Sequence, residues 1–363
     1  MTEHPQHCDI MVIGTGYYAE VMLADLAAHA RKPLSVAICG RNAERMKWLV
    51  EACRARAVNF GSPASFSSVP LDSNSIASLV EGIGKVRPRI VVQSASAQSP
   101  WKVDNGENEW ARLVAKAGFG LTLAFNALLA FRTASAIRKL GEEIIFVNTC
   151  YPDGVNQVLA QAGLPISTGV GNIGIFASVI GGRIPFEQRP ELRVLAHHRH
   201  IVEWRKPGMQ RAGAPVRAWV GDTELDGIDD LTRDIQLPYR DLNMISAANA
   251  VPVLLALAGH GKALSHVPGP NGIGGGYPVV VDQGGVKFDL PASLTVEEAV
   301  AWNQQFEEAD GVFVRDGWVT YADRVRELLT AHSSELSQGF AVGDVEQAAA
   351  ALDELRSQLS ARP

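Results

Sequence analysis

The first half of the chain alternates short apolar runs with stretches of helical spacing, the pattern of a parallel sheet joined by crossover helices. "DIMVIG" (Asp9 to Gly14) reads as a buried strand, followed by a helix from about Tyr18 to Ala30. "LSVAICG" (Leu34 to Gly40) is a second strand and "NAERMKWLVEACRARA" a second helix. "RIVVQSA" (Arg89 to Ala95) and "EIIFVNT" (Glu143 to Thr149) are later strands, separated by a long, mostly helical stretch. From about Gly169 the pattern changes, and extended segments cluster at "LRVLAHHRHIVEW", "VRAWVG" and "YPVVVDQGGVKFDLP". In the last of these, Gly284 and Gly285 lie between apolar runs, a hairpin signal. Thr295 and Glu298 have capping-box spacing, so a helix should start there. Val345, Ala348, Leu352, Leu355 and Leu359 mark a final amphipathic helix. The expected architecture is α/β: a doubly wound parallel sheet over residues 1–168 and an α+β domain with antiparallel sheet over residues 169–363.

Composition agrees with two globular domains. A chain of 363 residues exceeds what one core usually supports, and 47% hydrophobic with 20% charged residues is ordinary for folded proteins. The net charge of −6, with no basic stripe, argues against a nucleic-acid partner. The N-terminal "MTEHPQHCD" lacks the pattern of a secretory signal. The apolar stretches at Leu121 to Phe131 and Ile245 to Ala258 read as too short or too interrupted to span a bilayer. Cys8, Cys39, Cys53 and Cys150 are widely spaced and suit free thiols in a reducing compartment. The expectation is a cytoplasmic protein with no membrane partner.

"VIGTGYYAE" carries the pattern GxGxxA, with Gly14, Gly16 and Ala19 at the small-residue positions and Thr15, Tyr17 and Tyr18 between them. The first glycine permits the tight turn, the second lets the backbone approach a pyrophosphate, and the third small residue lets helix and strand pack closely. The motif follows the first expected strand and opens the first helix, the context a Rossmann dinucleotide site requires. After the second strand, an acidic residue usually binds the adenosine ribose of NAD; this chain has "CGRNAER" instead. Arg41, with Asn42 and Arg45 beside it, suits a 2′-phosphate, which favours NADP(H) over NAD(H) as cofactor. Ser94 and Ser96, after the "RIVVQ" strand, are further candidates for cofactor contact.

The central segment "IIFVNTCYPDGVNQVLAQAGLPISTGVGNIGIFASVIGGRI" resembles the lactate/malate dehydrogenase superfamily in the order of its parts. Asn148 ends a strand, Gly169 to Asn172 supply a turn, "RVLAHHRH" falls where the catalytic-histidine strand belongs, and "PVVVDQGGVKFDLPASLTVEEA" is similar to the closing hairpin and helix. The resemblance implies a homodimer, with the second domain serving substrate binding, catalysis and dimerisation. It also implies that Asn148 orients nicotinamide and substrate and that His198 relays the proton. The chain departs from the pattern in "NIGIFASVI", which holds neither the relay aspartate nor the carboxylate-clamping arginine. The loop "SASAQSPWKVDNGENEW" offers only Lys102 as a cation, with Asp104, Glu107 and Glu109 read as solvated. A 2-oxo acid needs its carboxylate held by a guanidinium fork, so a substrate other than a simple 2-hydroxy acid is expected. The superfamily's NAD-dependent glycosidase branch also lacks that clamp and binds a divalent metal through Cys and His, of which Cys150 is a faint echo.

"RVLAHHRHIVEW" raises the main chemical question. Read as a strand, it places His198 and His200 on one side and His197 on the other. Two histidines alone do not make a stable metal site, and no metal is expected. A histidine can exchange the proton that accompanies a hydride at neutral pH, so His198 is the preferred acid/base group and His200 the second. The expected function is an NADP(H)-dependent oxidoreductase acting on a carbonyl, alcohol or imine carbon of a small molecule. Two alternatives stay open. One is a lyase, hydrolase or epimerase that oxidises its substrate transiently, with or without a metal; the other is a non-catalytic dinucleotide-binding module.

Overall fold

A computed structural model describes residues 8–98, 107–240 and 242–361. The expectations for Lys102 and Asp104 lie outside the described residues. Six parallel strands form the main sheet: β1 (Cys8–Ile13), β2 (Leu34–Gly40), β3 (Ala64–Pro70), β4 (Pro88–Gln93), β5 (Ile145–Asn148) and β6 (Thr168–Gly169). Their order is β3-β2-β1-β4-β5-β6, so the topological switch lies between β1 and β4. Ile10 and Val12 point to one face and Met11 and Ile13 to the other, and all four are buried, as a sheet covered on both sides demands. β3 escaped the sequence reading because it is an edge strand whose serines face outward; only Phe66 is buried.

Helices α1 (Tyr17–His29) and α2 (Ala43–Asn59) cover the Ile10 face. Helices α3 (Ile76–Val86), α4 (Glu109–Ala117) and α5 (Leu123–Leu140) cover the other. With the short turn before it, α5 forms a helical run, Phe119–Leu140, long and apolar enough to cross a membrane, which the sequence reading of that stretch had excluded. In the fold, 83% of its apolar window is buried against protein, which accounts for its composition.

After β5 come α6 (Pro152–Gln161) and, after β6, α7 (Asn172–Gly181). The second half builds three small antiparallel sheets. The first joins β7 (Leu192–Leu195), β8 (Arg217–Val220) and β9 (Thr223–Glu224). The second joins β10 (Ala263–Pro268), β11 (Gly276–Asp282) and β12 (Gly285–Phe288), with the hairpin closing at the Asp282–Gly285 pair as the two glycines indicated. The third joins β13 (Val312–Arg315), β14 (Trp318–Tyr321) and β15 (Phe340–Ala341).

The histidine segment departs from the expectation. β7 ends at Leu195, a single bridge ties Ala196 to Gly276, and the chain then turns into helix α8 (His200–Trp204). The reason is local. The Arg199 amide donates to His197 Nδ1 at 3.1 Å and the His197 amide to His200 Nδ1 at 3.0 Å, so ring nitrogens satisfy donors that a ladder would otherwise need. His200, Ile201 and Trp204 then fall on one buried helical face. His198 and His200 therefore do not share one side of a strand.

Further helices include α9 (Ala250–Leu257), packed on α1 and β11; α10 (Val296–Gln304), which opens with the expected capping box; α11 (Glu307–Asp310); and α12 (Val345–Ser360). Helix α12 returns to the first half of the molecule. Its Leu352, Leu355 and Leu359 enter the same core as Leu121, Phe125 and Ala130, and Arg132 pairs with Glu346 at 3.0 Å. Leu352→Ala should cost about 2–5 kcal/mol of stability in urea unfolding. A cost under about 1 kcal/mol would show that α12 is not part of that core.

Candidate active site

The glycine turn sits at the carboxyl edge of the sheet, at the switch between β1 and β4, where open α/β sheets bind ligands. Gly14 has φ +130°, and a Cβ there would lie 2.8 Å from the Ser94 backbone, so only glycine fits. Gly16 faces open space: a Cβ there would meet nothing within 4 Å. It also caps α1 without any side-chain hydrogen bond, which leaves the first amides of the helix available to an anion. Ala19 is fully buried where helix meets strand. These features fit a pyrophosphate.

The other cofactor candidates divide. Arg41 is exposed just past the end of β2 and forms no ion pair or hydrogen bond among the described residues. Arg45 is already committed: it pairs with Glu20 and donates to the Thr15 carbonyl at 3.2 Å, bracing the glycine turn. Asn42 caps α2 by accepting from the Arg45 amide. Tyr17 is exposed, whereas Tyr18 donates its hydroxyl to the Ser246 carbonyl. Ser94 Oγ is buried without a partner among the described residues, and Ser96 Oγ donates to the Gln98 carbonyl at 2.7 Å.

Asn148 is completely buried, and its amide donates to the Cys150 carbonyl and to Asn156 Oδ1 while its oxygen accepts from the Cys150 amide. Both N–H groups are thus spent on holding the turn after β5. The Cys150 thiol is pushed up to about 12 by burial, and among the described residues no group of three His, Cys, Asp or Glu is arranged to hold a metal ion.

His198 stands apart from its neighbours. His197 is buried, stacked on Phe306, and pushed down to about 3 by desolvation. His200 stacks on Trp302 with an interplanar angle of 7°. Its Nδ1 accepts from the His197 amide, and its Nε2 faces the Ala214 carbonyl at 3.1 Å, so it is a neutral Nε2–H tautomer. Burial lowers its basicity as well, and with both nitrogens bound it is a structural residue and not a second acid/base group. His198 instead places Nε2 3.4 Å from Asp310 Oδ1 and Nδ1 3.4 Å from the Asn172 amide. Tyr151 donates its hydroxyl to the other Asp310 oxygen. The rings of Phe119 and Tyr151 wall the imidazole at 5.5 and 5.2 Å.

Burial opposes charge on both members of the pair, and their attraction prevails. Asp310 is held down to about 2 by His198, and Asp310 raises His198 above its ordinary range. With Nε2–H facing Asp310, the exchangeable edge is Nδ1, beside Asn172. Tyr18, from the start of α1, reaches toward that edge: its hydroxyl lies 3.7 Å from where a Cβ on Gly171 would sit, and Asn172 is the next residue.

No family model and no curated protein matches this sequence. Among solved structures, malate dehydrogenase from Aeropyrum pernix aligns with a TM-score of 0.51 at 17% identity, covering 91% of this chain and 100% of that one. Malate dehydrogenase from Cryptosporidium parvum aligns with a TM-score of 0.51 at 13% identity, over 90% and 100%. This is the lactate/malate dehydrogenase-like fold. Within it, α7 carries no acid, and its interior is filled: a Cβ on Gly174 would lie 2.5 Å from Asn249. The carboxylate at the histidine comes from α11 instead.

Sequence reasoning missed Asp310 and Tyr151. One signal for Asp310 was present, an acidic residue directly before the helix-ending Gly311, where the helix dipole disfavours negative charge. Tyr151, at φ 45°, carries no such mark. A cavity of about 340 Å³ lined by Gln157, Gln161, Gln304, Glu307 and Arg315 does not include His198 or the glycine turn.

Asp310→Ala leaves a buried imidazole without its counter-charge, so we expect a loss of about 3–5 kcal/mol. The sign follows from linkage. The raised His198 contributes stability that is full below its unfolded value and fades as pH rises through its folded one; the depressed Asp310 contributes stability that fades as pH falls toward about 2. The loss should therefore be largest near pH 5–6 by urea denaturation. A pH-independent loss would contradict the charge pairing.

Proposed function

We propose that this protein is an NADP(H)-dependent oxidoreductase acting on a carbonyl, alcohol or imine carbon of a small metabolite. The observation that supports it most is the contact path from the uncapped start of α1, through Tyr18, Gly171 and Asn172, to an imidazole paired with a buried carboxylate. The glycine turn and the first amides of α1 would hold the pyrophosphate. Arg41 would meet the 2′-phosphate, since Arg45 is occupied by Glu20. The bound nicotinamide supplies or takes up the hydride.

His198 handles the proton. In the reducing direction, the imidazolium donates Nδ1–H to the oxygen or nitrogen on which negative charge builds; in the oxidising direction the neutral ring accepts that proton. Asp310 favours the charged form of the ring, and Tyr151 and Asn172 fix its position. Reduction is then favoured below the raised His198 value and oxidation above it. Arg199, beside His198 in the chain, is turned toward Glu203 at 3.9 Å, and α7 supplies no arginine, which supports a substrate other than a simple 2-hydroxy acid.

The test has a binding arm and a turnover arm. NADPH should bind more tightly than NADH by fluorescence titration, and Arg41→Ala should remove about 1.4 kcal/mol, or tenfold, from NADPH alone. His198→Ala should leave NADPH binding intact and lower NADPH consumption with carbonyl or imine substrates by roughly 10²–10⁴. Tighter NADH binding would overturn the cofactor assignment. Undiminished turnover in His198→Ala would overturn the proton role.

A further inference from the structure

Asp153 lies in the first turn of α6, two residues after Tyr151, and is 2% exposed. Neither of its carboxyl oxygens makes a hydrogen bond of good geometry among the described residues, and only the amides of Asp153 and His198 act on them. Buried polar groups are almost always partnered, and an unpartnered one costs about 1–3 kcal/mol or more when charged. Such a group in a native fold calls for a reason.

Its surroundings supply one. The titratable groups around it are His198 on the loop after β7, Asp310 on α11, Tyr151 ahead of α6 and Tyr277 on β11, with Glu307 one turn before Asp310. His198 is the one cation among them. The packing is tight: a Cβ on the adjacent Gly154 would lie 2.9 Å from Leu123 and 3.0 Å from Tyr151. In this closed environment, charge on Asp153 is felt by His198 with little screening.

We propose that Asp153 is a positioning residue that sets the proton affinity of His198. Asp310 is the permanent counter-ion, and Asp153 is a second carboxyl whose own ionisation adds to or withdraws from the negative charge the ring experiences. Burial pushes Asp153 up to about 6, against the pull of His198. Below that value the ring has one carboxylate beside it; above it the ring has two, and it holds its proton to higher pH. The amides of Asp153 and His198 draw the carboxyl toward its ionised form, but burial outweighs them, which leaves it able to change charge there. The inference rests on His198 being the proton-exchanging group, and its test needs no turnover.

The experiment is an NMR titration of the histidine rings and of the Asp153 carboxyl in the full chain, wild type and Asp153→Asn. In the wild type, the Asp153 carboxyl should titrate near pH 6 and the His198 resonances should register the same step. In Asp153→Asn that step should vanish, and His198 should titrate lower by about one pH unit. A purely structural role would leave the His198 titration where it is, and that result overturns the proposal. Wild-type Asp153 titrating in the ordinary carboxyl range, with no echo at His198, overturns it equally and needs no variant to fold. A denaturation series adds a sign. A carboxyl raised in the folded state weakens the fold as pH climbs from about 4 to 6, so Asp153→Asn should gain stability at pH 8 relative to pH 4. If the titrations behave as stated but no NADPH is consumed, the oxidoreductase reading fails and this one stands.

Discussion

The structure depends on a single buried ion pair between parts of the chain that lie far apart in sequence. His198 and Asp310 are 13% and 6% exposed at their side chains, so neither carries charge there without the other. Each comes from an element too short to stand alone. His198 is on the turn between β7 and α8, and Asp310 ends the four-residue α11. Arg324 secures α11 by donating to the Ala309 and Ala117 carbonyls, and the Ala196–Gly276 bridge secures the histidine turn. Tyr151 joins the pair to the parallel sheet through its bond to Asp310. These contacts hold the His198 ring between the antiparallel sheets and the parallel one.

That arrangement replaces a feature the resemblance to lactate and malate dehydrogenases led us to look for. With Gly174 packed against Asn249, that position of α7 has no room for an acid, and the carboxylate beside the histidine comes from α11. The substitution has a chemical consequence. The ring is walled by Phe119 and Tyr151 and faces the Asp310 carboxylate, so negative charge is already supplied to it from within the fold.

Much of the scaffold was legible in the sequence because its physics is local. β1, β2, β4 and β5 are buried on both faces and read as unbroken apolar runs; the capping box at Thr295 and the glycines at 284 and 285 mark a helix start and a hairpin by short-range chemistry. β3 was not, because an edge strand rich in outward serines has no apolar signature. The histidine segment was misread as one strand because "LRVLA" does begin as one, and the turn is imposed by ring nitrogens bonding to backbone amides. Of the site itself, the glycine turn and His198 could be named from pattern and order. Tyr151 could not, and Asp310 had only its place before Gly311 to mark it, since the tertiary fold alone brings them to the ring.

The most direct measurement is a crystal structure of the protein with NADPH. The account predicts the pyrophosphate against the amides of Tyr17 and Tyr18 and the nicotinamide ring turned toward the Nδ1 edge of His198, with Asn172 between turn and ring. A nicotinamide facing away from residues 197–200, or a nucleotide bound elsewhere than the glycine turn, would contradict it.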